Sequence, residues 1–242
     1  MPETPSTNSD AMARAIAGEA LPLWVMADQQ TAGKGRSGRA WQSAPGNLHT
    51  SLALKVACEH NRATQLALVA GVAVIEAVRA LATGHSGSNI SKVRLKWPND
   101  VMAGDAKLGG ILIETTTDLG RGGLICVIGF GINVISTPRI DRKLAHLHEL
   151  GLVVTAGALQ HALAVAMSEA LEVWNEGAGF GLIRSRWLAA GLAEGDAISV
   201  NAGSGPAGGL FAGLDDGGAL LMRDPSGQVL RFTFGDVTLQ SA

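Results

Sequence analysis

Apolar residues recur along this chain in two rhythms. At helical spacing, Leu66, Val69, Ala73, Ala77 and Leu81 mark one long helix over residues 63–82, and residues 155–174 carry a second. Residues 181–188 read as a third. Near the start, Ser6-Thr7-Asn8-Ser9-Asp10 precedes the Ala-rich run 11–17. Short polar side chains accept from the free N–H groups of a first turn, so this pattern predicts a helix start. Elsewhere β-type runs appear. Residues 23–27 and 49–57 read as strands, and 93–97, 108–114 and 124–128 as three successive ones. Turns at 103–105 and 120–123 divide those three, and residues 84–91 form a polar, Gly/Ser-rich connection. The elements do not alternate strictly. The pattern therefore predicts an α/β (α+β) fold, a mixed or antiparallel sheet with flanking helices, rather than a doubly wound one.

The texture changes near Gly191. Short β-like runs follow at 198–201, 209–214, 219–223, 229–234 and 237–239, separated by Gly-Ser-Gly, Asp-Asp-Gly-Gly and Pro-Ser-Gly turns. Short strands at regular spacing predict a small β-barrel. The chain thus divides into a larger domain, 1–190, and a small C-terminal one, 191–242.

Composition narrows the function. The 242 residues are 47% hydrophobic and 17% charged, which suits a globular protein with a sizeable core. A net charge of −2 excludes a nucleic-acid-scale basic field, so any anion site must be local. Cys58 and Cys126 lie apart in apolar surroundings and read as reduced, buried thiols. The apolar run 65–78 carries polar breaks and is too short to span a bilayer. The cytoplasm is the expected location.

Four clusters carry candidate chemistry. In Gly33-Lys34-Gly35-Arg36-Ser37-Gly38-Arg39, closed by Trp41, glycines let the backbone come close to a ligand while three cations surround one small volume. That volume suits a phosphate or carboxylate. A basic loop that is solvated, or that binds nucleic acid non-specifically, is the alternative. The spacing fits neither a P-loop nor a Rossmann fingerprint. In Lys96-Trp97-Pro98-Asn99-Asp100, a cation, a ring, an amide and a carboxylate converge at a strand end; Asp100 could hold a divalent metal or orient a lysine, or the segment could be an Asx-type turn. Lys107-Leu108-Gly109-Gly110-Ile111-Leu112-Ile113-Glu114 places a lysine before a strand with two glycines, where it could neutralise charge on an attacked phosphate or simply face solvent. In Gly129-Phe130-Gly131-Ile132-Asn133, glycines would let a strand end pass close to a nucleotide or sugar, or pack tightly beside an Asn turn. Together the clusters offer what an enzyme needs to bring two anions together.

These segments, in this order, resemble the biotin–protein ligases (biotin–[acetyl-CoA-carboxylase] ligases). The matching patterns are Gln-x-Ala-Gly-Arg/Lys-Gly-Arg-x-Gly-Arg-x-Trp, Lys-Trp-Pro-Asn-Asp, Lys-x-x-Gly-Ile-Leu-x-Glu, Gly-x-Gly-Ile-Asn-Val and an N-terminal Ser-Thr-Asn, here Ser6-Thr7-Asn8. The resemblance covers essentially the whole chain. It implies a catalytic domain with a mixed sheet, an SH3-like C-terminal barrel, and a two-step reaction. ATP and biotin, with Mg2+, would give biotinyl-5′-AMP, and biotin would then pass to a lysine of a biotin carboxyl carrier protein. By the same resemblance, Ser6, Thr7, Asn8, Gln30, Lys34, Arg36, Trp41 and Lys107 would bind biotin. Arg36, Arg39, Lys96, Asn99 and Asn133 would bind the nucleotide. Lys107, Arg36 and Asp100 would act in catalysis, with Asp100 on the metal.

The chain departs from the family pattern in places. Lys34 stands where many members have arginine, keeping the charge but losing the bidentate fork. Gln240 lies near where some members carry an arginine, so the small domain is assigned no catalytic residue. Ser-Thr-Asn stands close to the start, which leaves no room for the helix-turn-helix domain of repressor-type members, so sequence-specific DNA binding is not expected. Family members include monomers and dimers, and a homodimer is possible here. The alternatives are a lipoate–protein ligase of the same fold, or a non-catalytic biotin-binding protein.

Overall fold

The computed structural model describes residues 1–85, 87–118, 122–203 and 205–239. Gln240 and part of the expected 120–123 turn lie outside the described residues. The chain opens with β1 (Glu3–Thr4) and α1 (Thr7–Ile16). Ser6 caps α1 as anticipated, its side chain accepting from Ser9 N, with Asp10 in the first turn and Arg14 in the last, the favourable polarity for a helix dipole. Then follow β2 (Leu23–Ala27), β3 (Gln29–Gln30), β4 (Leu48–Val56), α2 (His60–Ala63) and α3 (Leu66–Ala82). The single helix expected over 63–82 is therefore interrupted near Thr64 and Gln65, and Gln65 Oε1 accepts from Trp174 Nε1 at 2.8 Å.

Next come β5 (Val93–Lys96), β6 (Asp100–Ala103), β7 (Ala106–Thr117) and β8 (Leu124–Ile132). Strand β6 was not anticipated. It is only four residues long, squeezed between a Pro-containing turn and the Gly104 turn, too short for a period to register. With it, the large sheet has six strands in the order β2-β4-β8-β7-β6-β5. Each of its strand pairings is antiparallel, and a parallel strand pairing lies apart, between β1 and β3.

The central strand β8 is buried on both faces. Ile125 and Val127 pack with Ala11 and Ala15 of α1, while Cys126, Ile128 and Phe130 face the main core. Burial pushes the Cys126 thiol up to about 12, which fits an inert core cysteine. Helix α3 is buried on nearly every side, and α4 (Ala156–Trp174) and α5 (Phe180–Ala190) pack on it.

The five expected C-terminal strands are present as β9 (Ala197–Asn201), β10 (Pro206–Leu214), β11 (Leu220–Arg223), β12 (Val229–Phe232) and β13 (Asp236–Leu239). They form one antiparallel sheet, β12-β11-β10-β9-β13, consistent with an SH3-like fold. A bulge between Phe211 and Leu214 bends β10. Ile198, Val200, Phe211 and Leu220 belong to the same apolar cluster as the large sheet, so the core runs unbroken across residue 190. Trp97 Nε1 also crosses, donating to Gly218 O at 3.0 Å. Among the described residues, no helix is long and apolar enough to cross a membrane.

Trp187 of α5 is 1% exposed within this shared core. Trp187→Ala is expected to cost about 3–5 kcal/mol of stability through the cavity it leaves. Urea unfolding, followed by circular dichroism, checks this.

Candidate functional site

One cleft of about 370 Å³ gathers most of the residues singled out above. Its floor is the α1-facing side of β7 and β8. Gly110 pairs with Gly131, and Leu112 with Gly129. A Cβ on Gly131 would sit 2.4 Å from the Trp41 ring, and one on Gly129 only 2.1 Å from Asn8 Oδ1. Glycine here lets side chains from other segments lie directly on the sheet.

At one end α1 delivers a polar group. Thr7 N and Thr7 Oγ1 donate to Gln30 Oε1 at 2.9 and 3.1 Å. Asn8 Nδ2 donates to Glu114 Oε2 at 2.7 Å. Ser51 Oγ lies within hydrogen-bond distance of both Thr7 and Asn8. Ser6, Thr7 and Asn8 are all buried, so this end is preset for a polar, uncharged ligand edge.

Over the floor hangs the Gly-rich loop, a narrow hairpin. Trp41 N donates to Gly33 O at 2.8 Å and Gly35 N to Arg39 O at 2.7 Å. Lys34 Nζ donates to Ser9 Oγ at 2.9 Å, tying the loop to α1. Trp41 lies on the glycines with the Lys107 ammonium 5.8 Å from its ring centroid, a cation–π distance. Trp41 Nε1 is buried without a hydrogen-bond partner.

The opposite end is cationic. Lys96 ends β5, Asn99 lies in the turn that follows, Asp100 opens β6, and β7 carries Lys107. Asp100 bridges both lysines: Lys96 Nζ is 2.9 Å from Oδ2, and Lys107 Nζ contacts Oδ1. Burial opposes ionisation of Asp100, but the ammonium groups of Lys107 and Lys96 outweigh it and hold its carboxyl below the usual range. Burial also lowers the Lys107 pKa, against the pull of Asp100; Arg142 and Lys96 push the same way as burial. Arg36 donates to Asn99 Oδ1 at 3.1 Å and Gly235 O at 3.3 Å, and Asn99 Nδ2 donates to Ile111 O at 2.7 Å. Six cationic side chains face two carboxylates around the cleft, a field suited to polyphosphate.

Two expectations change. Asn133 does not line the cleft. It is buried, and its Nδ2 donates to Ala145 O at 3.0 Å. Ala145 N in turn donates to Lys107 O at 2.9 Å, so Asn133 steadies the backbone of Lys107. Asp100 is no ready metal ligand, since both its oxygens already serve lysines. Among the described residues, no group of three or more His, Cys, Asp or Glu could hold a metal. The sequence reading also missed two contributors: Arg142, and the segment Asp236–Thr238, both lining the cleft. Neither lies in a recognisable motif, and both arrive only through tertiary structure.

The family model of the Biotin/lipoate A/B protein ligase family matches residues 4–133. Over 235 residues the chain is 33% identical to a biotin–[acetyl-CoA-carboxylase] ligase of Paracoccus denitrificans, covering 93% of each chain. It is 32% identical over 223 residues to the bifunctional ligase/repressor BirA of Escherichia coli, covering 90% of this chain and 66% of that protein. A solved biotin protein ligase from Aquifex aeolicus, in complex with biotin and ATP, superimposes with a TM-score of 0.80 at 27% identity, covering 100% of this chain and 97% of that one.

The glycine floor is testable by contrast. Gly129→Ala should lower stability by about 1–3 kcal/mol, because the new methyl overlaps buried Asn8. Gly181→Ala, in helix α5 with open space around it, should raise stability by about 0.4–1 kcal/mol. Parallel urea titrations read both; equal effects would remove the floor from the account.

Proposed function

This chain belongs to the biotin/lipoate A/B protein ligase family, and we propose that it is an ATP-dependent biotin–protein ligase. It activates biotin as biotinyl-5′-AMP and transfers biotin to a lysine of a biotin carboxyl carrier protein. The observation that carries the reading is the position of Lys107, between a buried polar pocket and a cationic one, over a floor opened by Gly110, Gly129 and Gly131.

In the first step, a carboxylate oxygen of biotin bonds to the α-phosphorus of ATP as the bond to the bridging oxygen breaks, and pyrophosphate leaves. Both reactants are anions. Lys107 and Arg36 offset their repulsion and the charge that develops on the phosphoryl oxygens, from positions set before substrate arrives. Ser6, Thr7, Asn8 and Gln30 would hold the biotin head group. Trp41 and the loop, with Lys34, would cover its chain and keep water from the anhydride. Arg39, Lys96 and Asn99 would receive the nucleotide. Asp100 is the counter-ion that fixes Lys96 and Lys107. Mg2+ would arrive on the ATP phosphates, since this donor set does not fit a resident ion. In the second step the carrier amine bonds to the acyl carbon, AMP leaves, and the amine proton passes to solvent. We read residues 1–190 as the catalytic domain and 191–242 as a small barrel domain beside it, acting in the cytoplasm.

Pyrophosphate release from Mg-ATP, with biotin and lipoate in parallel, tests the function. Biotin-dependent release supports it. Release with lipoate alone would move the chain to the other branch of the family, and no release with either would overturn the enzyme reading. Lys107→Ala should slow release by about 100-fold or more, because a pre-placed charge is lost. The lowered Lys107 pKa sets a sign for pH. The ammonium form is the active one, so the rate should fall on the alkaline side below the ordinary lysine value of 10.5. Lys107→Arg should move that limb upward; a profile flat to 10.5 would remove Lys107 from the titration.

A further inference from the structure

Residue 236 occupies a place that the ligase reading does not use. Asp236 opens β13, and its carboxylate spans the two arginines of the Gly-rich loop: Arg39 Nη2 contacts Oδ2, and Arg36 Nη1 lies 3.8 Å from Oδ1. Its neighbours reinforce the contact. Gly235 O accepts from both Nη atoms of Arg36 at 3.3 Å, and Val237 O accepts from Lys96 Nζ at 3.0 Å. The approach is built into the backbone. Gly235 has φ +139, and a Cβ there would meet Asn201 O at 2.9 Å, so only glycine makes this turn comfortably. Asp236 is then held in register opposite Asn201.

A carboxylate between guanidinium groups takes the same seat that a phosphate would take. We propose that Asp236 is a built-in stand-in for the nucleotide phosphates: it holds the loop down through Arg36 and Arg39 until ATP replaces it. This deepens the ligase reading and rests on it. The balance suits an exchange. The Asp236 side chain is about half exposed, at 53%, so its ion pairs are weakened by water and salt. A triphosphate brings several charges to the same arginines and displaces a single carboxylate. Asp236 is thus a positioning residue that sets a threshold for nucleotide entry.

Two readouts test this on the intact protein, with Asp236→Asn and Asp236→Glu as variants. Without ligand, tryptic nicking after Lys34, Arg36 or Arg39 should be at least about threefold faster in Asp236→Asn, and near the wild-type rate in Asp236→Glu. In biotin-dependent pyrophosphate release, the KM for ATP should fall about threefold in Asp236→Asn, because the competing anion is gone. A role confined to stability would not lower KM. Unchanged nicking in Asp236→Asn, or a KM that stays level or rises, overturns the proposal. If the wild-type protein releases no pyrophosphate, the ligase reading fails on its own. The stand-in is then decided by nicking together with ATP affinity from equilibrium dialysis, which should be tighter in Asp236→Asn.

Discussion

The absence of side chains at Gly110, Gly129 and Gly131 is the constraint on which this molecule's chemistry depends. These positions lie on two adjacent strands at the heart of the large sheet. Their missing Cβ atoms open a trough in which Asn8, Trp41 and Lys107 all come to rest. A β-branched residue at any of them would suit the strand better by propensity. The local cost is borne by a strand buried on both faces, whose other positions pack fully. Rigidity and access thus come from the same strands: even-numbered residues of β8 anchor the main core, and on the other face Ile125 and Val127 pack against α1 while Gly129 and Gly131 yield room for ligand.

Charge is arranged with similar economy. A lone buried lysine would shed its proton, and a lone buried carboxylate would take one up. Setting Asp100 between Lys96 and Lys107 keeps the buried carboxylate ionised, and two ammonium groups against one carboxylate leave a net positive charge facing the cleft. The carboxylate is therefore a structural member of a cationic site. It carries no surplus negative charge for a metal, and its value lies in holding two ammonium groups at a fixed separation in a partly desolvated place.

Local signals were legible in the sequence. The Ser6 cap, the apolar spacing of α3 and α4, and the Gly-punctuated strands after residue 190 each arise from neighbours in the chain, and each is present in the structure. The motif residues were legible too, because glycines beside cations state a purpose locally. What escaped was set by distant contacts. Strand β6 exists because β5 and β7 flank it, not through its own four residues. Asn133 sits within a motif, yet its amide is claimed by Ala145, a partner that no spacing rule reveals. Arg142 and Asp236 reach the cleft from outside every motif.

The reach of Arg36 to Gly235 spans 199 positions along the chain, and that of Lys96 to Val237 spans 141. These closures are among the most non-local the fold makes, and long loops close late because their entropy must be met before the contact rewards it. On the ribosome, the floor, the polar pocket and the lysines can all assemble while the strand that meets them is still unmade. The cations of the cleft would therefore be in place in a growing chain before anything restrains the loop above them, and a chain interrupted before residue 235 would carry nearly every motif residue in a cleft without its far wall.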